Sequence, residues 1–315
     1  MGKLQRILFG ISPTATQFDR RGFRGGDPLA RRRFEVIGET FVAGYHAGLE
    51  TGVSARLVAR LEAIENERRG FAYEGAGMAL MLLDTLLPWR RDRWQAFLAG
   101  AGSRHAYMVH VGAGWAMARA GRSFERATRR MDPRLRWLVL DGWGFHDGYF
   151  HAHRCIERQS VPARIAAGYP RRAWDQGLGR ALWFVECANV AGVAASIQRF
   201  EPRRRADLWS GVGLAAAYAG AVDDAALEGL RHAAGEHRTA LAQGAAFAAQ
   251  ARERAGNAAP HTERACLTLC GIGAKAAAQC TDEAFRDLPP DSSEPAYEVW
   301  RDRLRLRFAP VAVTS

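Results

Sequence analysis

The residues best equipped for chemistry lie between Asp141 and Arg154, in the run Asp-Gly-Trp-Gly-Phe-His-Asp-Gly-Tyr-Phe-His-Ala-His-Arg. On a helix His146 and His153, seven apart, would share a face with Phe150, and Asp147 and His151, four apart, are spaced to pair. Two helical turns separate such histidines by about 10 Å along the axis, too far to hold one ion. A metal site needs three or four converging ligands, so no metal is expected. Acid–base work by His146 or His151 is the chemical reading. The plainer reading has each imidazole donating to a carboxylate or a backbone carbonyl. No Gly-x-Ser-x-Gly elbow is present, and no cysteine stands with a histidine in a nucleophile pattern. The cysteines Cys155, Cys187, Cys266, Cys270 and Cys280 are scattered and odd in number, unlike a disulfide framework. They read as small buried side chains.

One phrase recurs along the chain: Glu74-Gly-Ala-Gly-Met-Ala79, Val111-Gly-Ala-Gly-Trp-Ala116, Asp141-Gly-Trp-Gly-Phe-His146 and Gln176-Gly-Leu-Gly-Arg-Ala181. Ser210-Gly-Val-Gly-Leu-Ala215, a worn Gln243-Gly-Ala-Ala-Phe-Ala248 and Cys270-Gly-Ile-Gly-Ala-Lys275 follow, and Gly44 to Gly48 reads as a degenerate first copy. Successive first glycines are 37, 30, 35, 34, 33 and 27 residues apart. That spacing is close to the ~34 residues of a tetratricopeptide-type hairpin. The flanks carry apolar residues at helical spacing, Pro202 suits a first helical turn and Asp223 an N-cap. The expected fold is all-α: an α-solenoid of about six or seven tandem helical hairpins with essentially no strand. Residues 1–28 read as an irregular arm, 29–315 as one helical-repeat domain, and about 297–308 as a capping helix.

A glycine inside a helix costs about 1 kcal/mol relative to alanine, so a glycine repeated at one phase needs compensation. Close approach of helix backbones supplies it; a ligand running along the small residues is the alternative. A phosphate-loop reading fails, because no strand precedes the motif. The position before each first glycine is mostly polar: Glu74, Asp141, Gln176, Ser210, Gln243. In a solenoid, equivalent positions line one surface. Two readings stay open, a binding groove or an interior hydrogen-bond ladder. As a site, Asp141, His146, His151 and Glu74 are the catalytic candidates. Gln176, Gln243, Trp143, Arg180 and Trp183 are the substrate-binding ones. Trp115, Trp143, Trp174, Trp183 and Trp209 fill a core or line a channel for a long unsaturated chain.

The chain has 315 residues, 48% of them hydrophobic, and a net charge of +11. No apolar run approaches the ~18 residues of a membrane span, and Met1 to Ile11 lacks the features of a signal peptide; a cytoplasmic protein is expected. Of 44 basic residues only Lys3 and Lys275 are lysines. The arginines cluster at 31–33, 129–130, 171–172 and 203–205, where helix ends or solvated loops use them. With no nucleic-acid motif, nucleic acid is not an expected partner; an acidic carrier or other biosynthetic protein suits the charge better. No cofactor is indicated.

Leu4 to Phe23, Gly142-Trp-Gly-Phe-His146 with Gly148-Tyr-Phe150, and Gly177-Leu-Gly-Arg-Ala-Leu-Trp-Phe184 together resemble a bacterial family labelled domain of unknown function 1702. Its members occur in enediyne gene clusters, as accessory proteins beside the iterative polyketide synthase. The resemblance implies a role in enediyne antibiotic biosynthesis, alongside or after polyene assembly, on a long, linear, apolar intermediate. It carries over no catalytic residues, and whether the protein is an enzyme stays open. A closed apolar cavity would favour action on that intermediate, or its sequestration. An open superhelix with a charged concave face would favour a non-catalytic scaffold for partner proteins.

Overall fold

The computed structural model describes residues 2–87, 89 and 92–310; residues 311–315, the expected end of the repeat domain, lie outside the described residues. Among the described residues every regular element is helical. Numbered in chain order, the long helices are α3 (Pro28–Thr51), α5 (Asn66–Leu86), α7 (Ala106–Ala120), α9 (Trp137–Phe150), α10 (Tyr169–Val185), α12 (Pro202–Ala219) and α14 (Arg238–Ala255). Shorter helices connect or flank them: α1 (Gly2–Phe9), α2 (Phe18–Arg21), α4 (Ala55–Glu62), α6 (Arg93–Ala99), α8 (Phe124–Thr128), α11 (Val190–Gln198) and α13 (Asp224–Ala234). The chain ends with α15 (Pro260–Cys270), α16 (Ala274–Phe285) and α17 (Ala296–Arg307). The N-terminal arm is thus partly helical. Local signals set several boundaries: Pro202 opens α12, and Asp223 caps α13 by accepting from Ala226 N at 2.9 Å.

Each long helix packs on the next, α3 to α5 to α7 to α9 to α10 to α12 to α14. The glycines make this possible. A Cβ on the first glycine of a motif would strike the preceding helix: Gly112 against Glu74 O at 2.1 Å, Gly142 against Val111 O at 2.0 Å, Gly177 against Asp141 O at 1.8 Å. A Cβ on the second would strike the following helix, as Gly114 does Val139 O at 2.0 Å and Gly179 Leu208 O at 2.1 Å. Backbone therefore lies on backbone throughout the row, and the ~1 kcal/mol cost per glycine is offset by dispersion contacts that a side chain would forbid.

Two copies read from the sequence differ in the structure. Gly271 ends α15 in the left-handed region at φ 73° and Gly273 precedes α16, so the expected copy Cys270 to Lys275 straddles an interhelical turn at 271–273. In α3, Gly44 meets Ala72 O of the following helix at 2.0 Å, which makes it a second glycine. The first-glycine place is held by Val42.

The row curls back on itself. Arg33 of α3 donates to Ala219 O at 2.5 Å, Phe34 packs on Phe184 with centroids 4.5 Å apart, and Arg24 N donates to Val185 O at 2.8 Å. On the α5 side, Phe71 lies edge-on to Tyr218 at 5.1 Å, and the buried Arg252 of α14 donates to Glu67 O at 3.1 Å. Helix α17 covers the inner face, with Trp300 on Phe247 at 4.4 Å and Tyr297 against Gln176.

Candidate functional site

The repeat decides which side chains meet inside. The residue before the first glycine and the one after the second are four apart, one turn apart on a single face. The pairs are Glu74/Met78, Val111/Trp115, Asp141/Phe145, Gln176/Arg180, Ser210/Leu214 and Gln243/Phe247, and all of these residues except Leu214 are buried. Eight of these twelve residues line one or both of two neighbouring pockets, the lobes, whose walls share Arg180, Leu214 and Tyr218. Phe41, Phe71, Trp115, Phe145, Tyr149 and Glu74 wall the first lobe, and Ile11 and Thr16 of the N-terminal arm lie over it. Val111, Leu138, Asp141, Phe247 and Trp300 wall the second. The lobes hold about 40 and 30 Å³ of free volume. That is room for two or three waters each, so a longer guest requires the arm or the aromatic walls to part.

Glu74 is the anomaly. Its Oε1 is buried without a hydrogen-bond partner, as is Trp115 Nε1 in the same lobe. An unsatisfied buried polar atom costs about 1–3 kcal/mol, more when charged. Burial in this lobe pushes the Glu74 carboxyl up to about 7, helped by nearby Asp141 and opposed by Arg180 and the Trp115 indole. With its folded value above its ordinary 4.5, Glu74 destabilises the fold progressively as pH rises from about 4.5 to 7. The cost is present in full above that window.

Arg180 is the cavity's cation. Its Nη1 bonds Asp141 Oδ1 and its guanidinium lies 4.7 Å from the Phe145 ring centroid. Asp141 Oδ2 accepts from Gln176 Nε2 at 2.9 Å, and the same amide reaches Tyr297 OH at 3.1 Å. Ser210 Oγ lies between Gln176 Oε1 at 3.4 Å and Gln243 Oε1 at 2.8 Å. Arg301 of α17 donates to Gln243 at 3.3 Å, Glu298 at 2.9 Å and Asp207 at 2.8 Å. Asp141, Gln176, Ser210 and Gln243 therefore form an interior hydrogen-bond ladder across four helices. Glu74 stands outside it, facing the first lobe.

The other sequence candidates are placed as follows. His146 is buried, with Nδ1 3.3 Å from Asp147 Oδ1 and its ring edge-on to Trp115 at 5.6 Å, but it lines neither lobe. Helix α9 ends at Phe150, so His151 and His153 are off its regular face, which corrects the expected His146–His153 alignment. The spacing suggested an Asp147–His151 pair; instead Asp147 takes the Trp174 indole N–H at 3.1 Å as well as His146. His151 is exposed, 6.0 Å from His146 between ring centroids, and partial burial, Arg154 and His146 lower its basicity. Trp183 is fully buried with its N–H on Gly220 O at 3.0 Å. Trp143 is also buried, and neither tryptophan lines a lobe. The sequence reading passed over Phe41, Phe145, Leu214 and Tyr218. Three of the missed or underweighted lining residues, Phe145, Leu214 and Phe247, follow the motif's second small residue, a signal present in the repeat.

Among the described residues, an all-helical fold around an apolar interior that holds the Glu74 carboxyl is the class that fold and site define. The family model described as protein of unknown function (DUF1702) matches residues 1–308, and the chain belongs to that family. No curated protein matches it, and no solved structure does.

Proposed function

We propose that the protein takes a linear, polyene-derived intermediate of enediyne biosynthesis into its two-lobed cavity, in the cytoplasm beside the synthase, and holds it there against Glu74. The row of glycine-bearing helices is then a helical-repeat array, a solenoid whose ends have met. The pathway comes from the family resemblance; the kind of guest comes from the cavity. One observation carries the reading: a buried carboxyl whose Oε1 has no hydrogen-bond partner, set in an aromatic-walled interior with the Trp115 indole and Arg180 as its polar neighbours. A strongly perturbed titratable group in such a place is a candidate functional group. The rival reading, a scaffold whose arginine clusters dock acidic partners, is weakened by what three of those arginines do. Arg33 bonds Glu67, Arg172 bonds Asp207 and Glu298, and Arg204 is buried against Asp175.

The test is a fluorescence titration with cis-parinaric acid, a linear conjugated tetraene acid, on the whole chain. Saturable one-to-one binding is expected. Leu214→Trp, which fills the waist between the lobes, should weaken it at least about tenfold while the melting temperature stays within a few degrees. Equal binding by both proteins would place the probe elsewhere and end the cavity reading.

A further inference from the structure

Glu74 and Arg180 face one another across the first lobe. Glu74 Oε1 is buried with no partner in hydrogen-bond range, the Trp115 indole being its nearest donor, and Arg180 is engaged through Nη1 on Asp141. Apart from Thr16 and the tyrosines Tyr149 and Tyr218, the rest of that lobe is aromatic and aliphatic. We infer that the lobe is a proton-transfer site for an unsaturated carbonyl compound, with Arg180 holding the carbonyl oxygen and Glu74 moving a proton along the chain. The inference rests on the binding reading above and names the chemistry of the guest.

The alternative use of a lone acid in an aromatic cavity is protonation of an isolated alkene. Glu74 is poorly suited to that, because burial makes its carboxyl a weaker acid than usual. The same change makes it a better base, and acid–base catalysis is most effective when the group titrates near the working pH. The groups facing it are Arg180 from α10, Asp141 from α9, Trp115 from α7 and, at the waist, the Tyr218 ring from α12. The Tyr218 hydroxyl is turned toward Gly70, where an added Cβ would lie 2.0 Å from it, and is likewise buried without a hydrogen-bond partner.

The step balances without a co-reactant. A C–H bond at the α-carbon of a β,γ-unsaturated carbonyl breaks, and its proton forms an O–H bond on ionised Glu74. The electron pair passes to the carbonyl oxygen, where negative charge develops against Arg180. Preorganised donors in a low-dielectric site stabilise such an oxyanion far better than they would in water. The pair then returns, the double bond moves into conjugation, and the γ-carbon takes the proton from Glu74. Nothing is oxidised or reduced, and Glu74 ends ionised as it began. Asp141 does not touch the guest in this scheme; it positions Arg180 by holding Nη1.

The experiment incubates the full chain in D2O near neutral pH with the N-acetylcysteamine thioester of a long-chain β,γ-unsaturated acid. Proton NMR follows the conjugated isomer and deuterium in the α and γ positions. Parinaric acid binding is measured on the same samples. The wild type should isomerise the thioester at least about a hundredfold faster than buffer, within the range for a positioned acid–base group. Glu74→Gln should lose that acceleration while keeping its affinity for the polyene. A wild type that binds the polyene yet neither isomerises nor exchanges the thioester overturns the proton-transfer site and leaves the binding reading standing. Failure of both overturns both. Undiminished isomerisation by Glu74→Gln removes Glu74 from the step.

Discussion

Gly177→Ala is expected to leave little folded protein, with a loss beyond about 4 kcal/mol in the exceptional tail of single substitutions. The added Cβ would sit 1.8 Å from Asp141 O and 2.6 Å from its carbonyl carbon, and 2.8 Å from Phe145 N. These are backbone atoms of α9 and cannot turn aside as a side-chain tip can. Relief requires α9 and α10 to separate, which opens the ladder between Asp141 and Gln176 and parts the cavity wall at Phe145. The internal comparison is Gly229, exposed on α13, where the nearest heavy atom to a new Cβ is 3.9 Å away. Gly229→Ala should stabilise by up to about 1 kcal/mol, the helix-propensity difference alone. Chemical denaturation of both variants checks the pair. A Gly177→Ala loss below about 1 kcal/mol would mean that the helices are not in backbone contact.

Asp141→Ala should cost about 3 kcal/mol, the low end of the range for removing one partner of a buried ion pair. It strips Arg180 of its bonded carboxylate and Gln176 of its acceptor in one step. The loss stays at the low end because Glu74 is at hand. Asp141 is one of the groups pushing the Glu74 carboxyl up, and Arg180 pulls it down. With Asp141 gone Glu74 ionises more readily and becomes the partner of Arg180. The deficit relative to wild type should therefore shrink as pH rises from about 5 to 8, where Glu74 carries its charge. Paired denaturation curves across that range check it. A deficit that grows with pH would separate Glu74 from Arg180 electrostatically.

Much of this was legible in the sequence, because packing and repeat obey one rule. Glycines at Gly75, Gly112, Gly142, Gly177, Gly211 and Gly244 announced helices in backbone contact, and each motif lies within a long helix. The polar residue before each glycine was visible too, but not what it would meet. A polar group on an inward face can bind its neighbour or a guest, and only the distances separate Asp141, Gln176 and Gln243 from Glu74. Glu74 differs because its neighbour in the row contributes Val111, which offers no side-chain partner. The histidine-rich stretch misled because nothing there announces the end of α9: no proline or glycine occupies 151–153. Gly271 misled in the opposite way, since a helix-ending glycine in the left-handed region looks in sequence like one more copy of a packing motif.

A crystal structure of the whole chain saturated with parinaric acid shows directly where the guest sits. Tetraene density is expected in the first lobe against Trp115 and Phe145, its carboxylate toward Arg180 and the arm around Ile11 displaced. Density confined to the outer surface of a saturated protein, with the lobe unchanged, would contradict binding in the cavity.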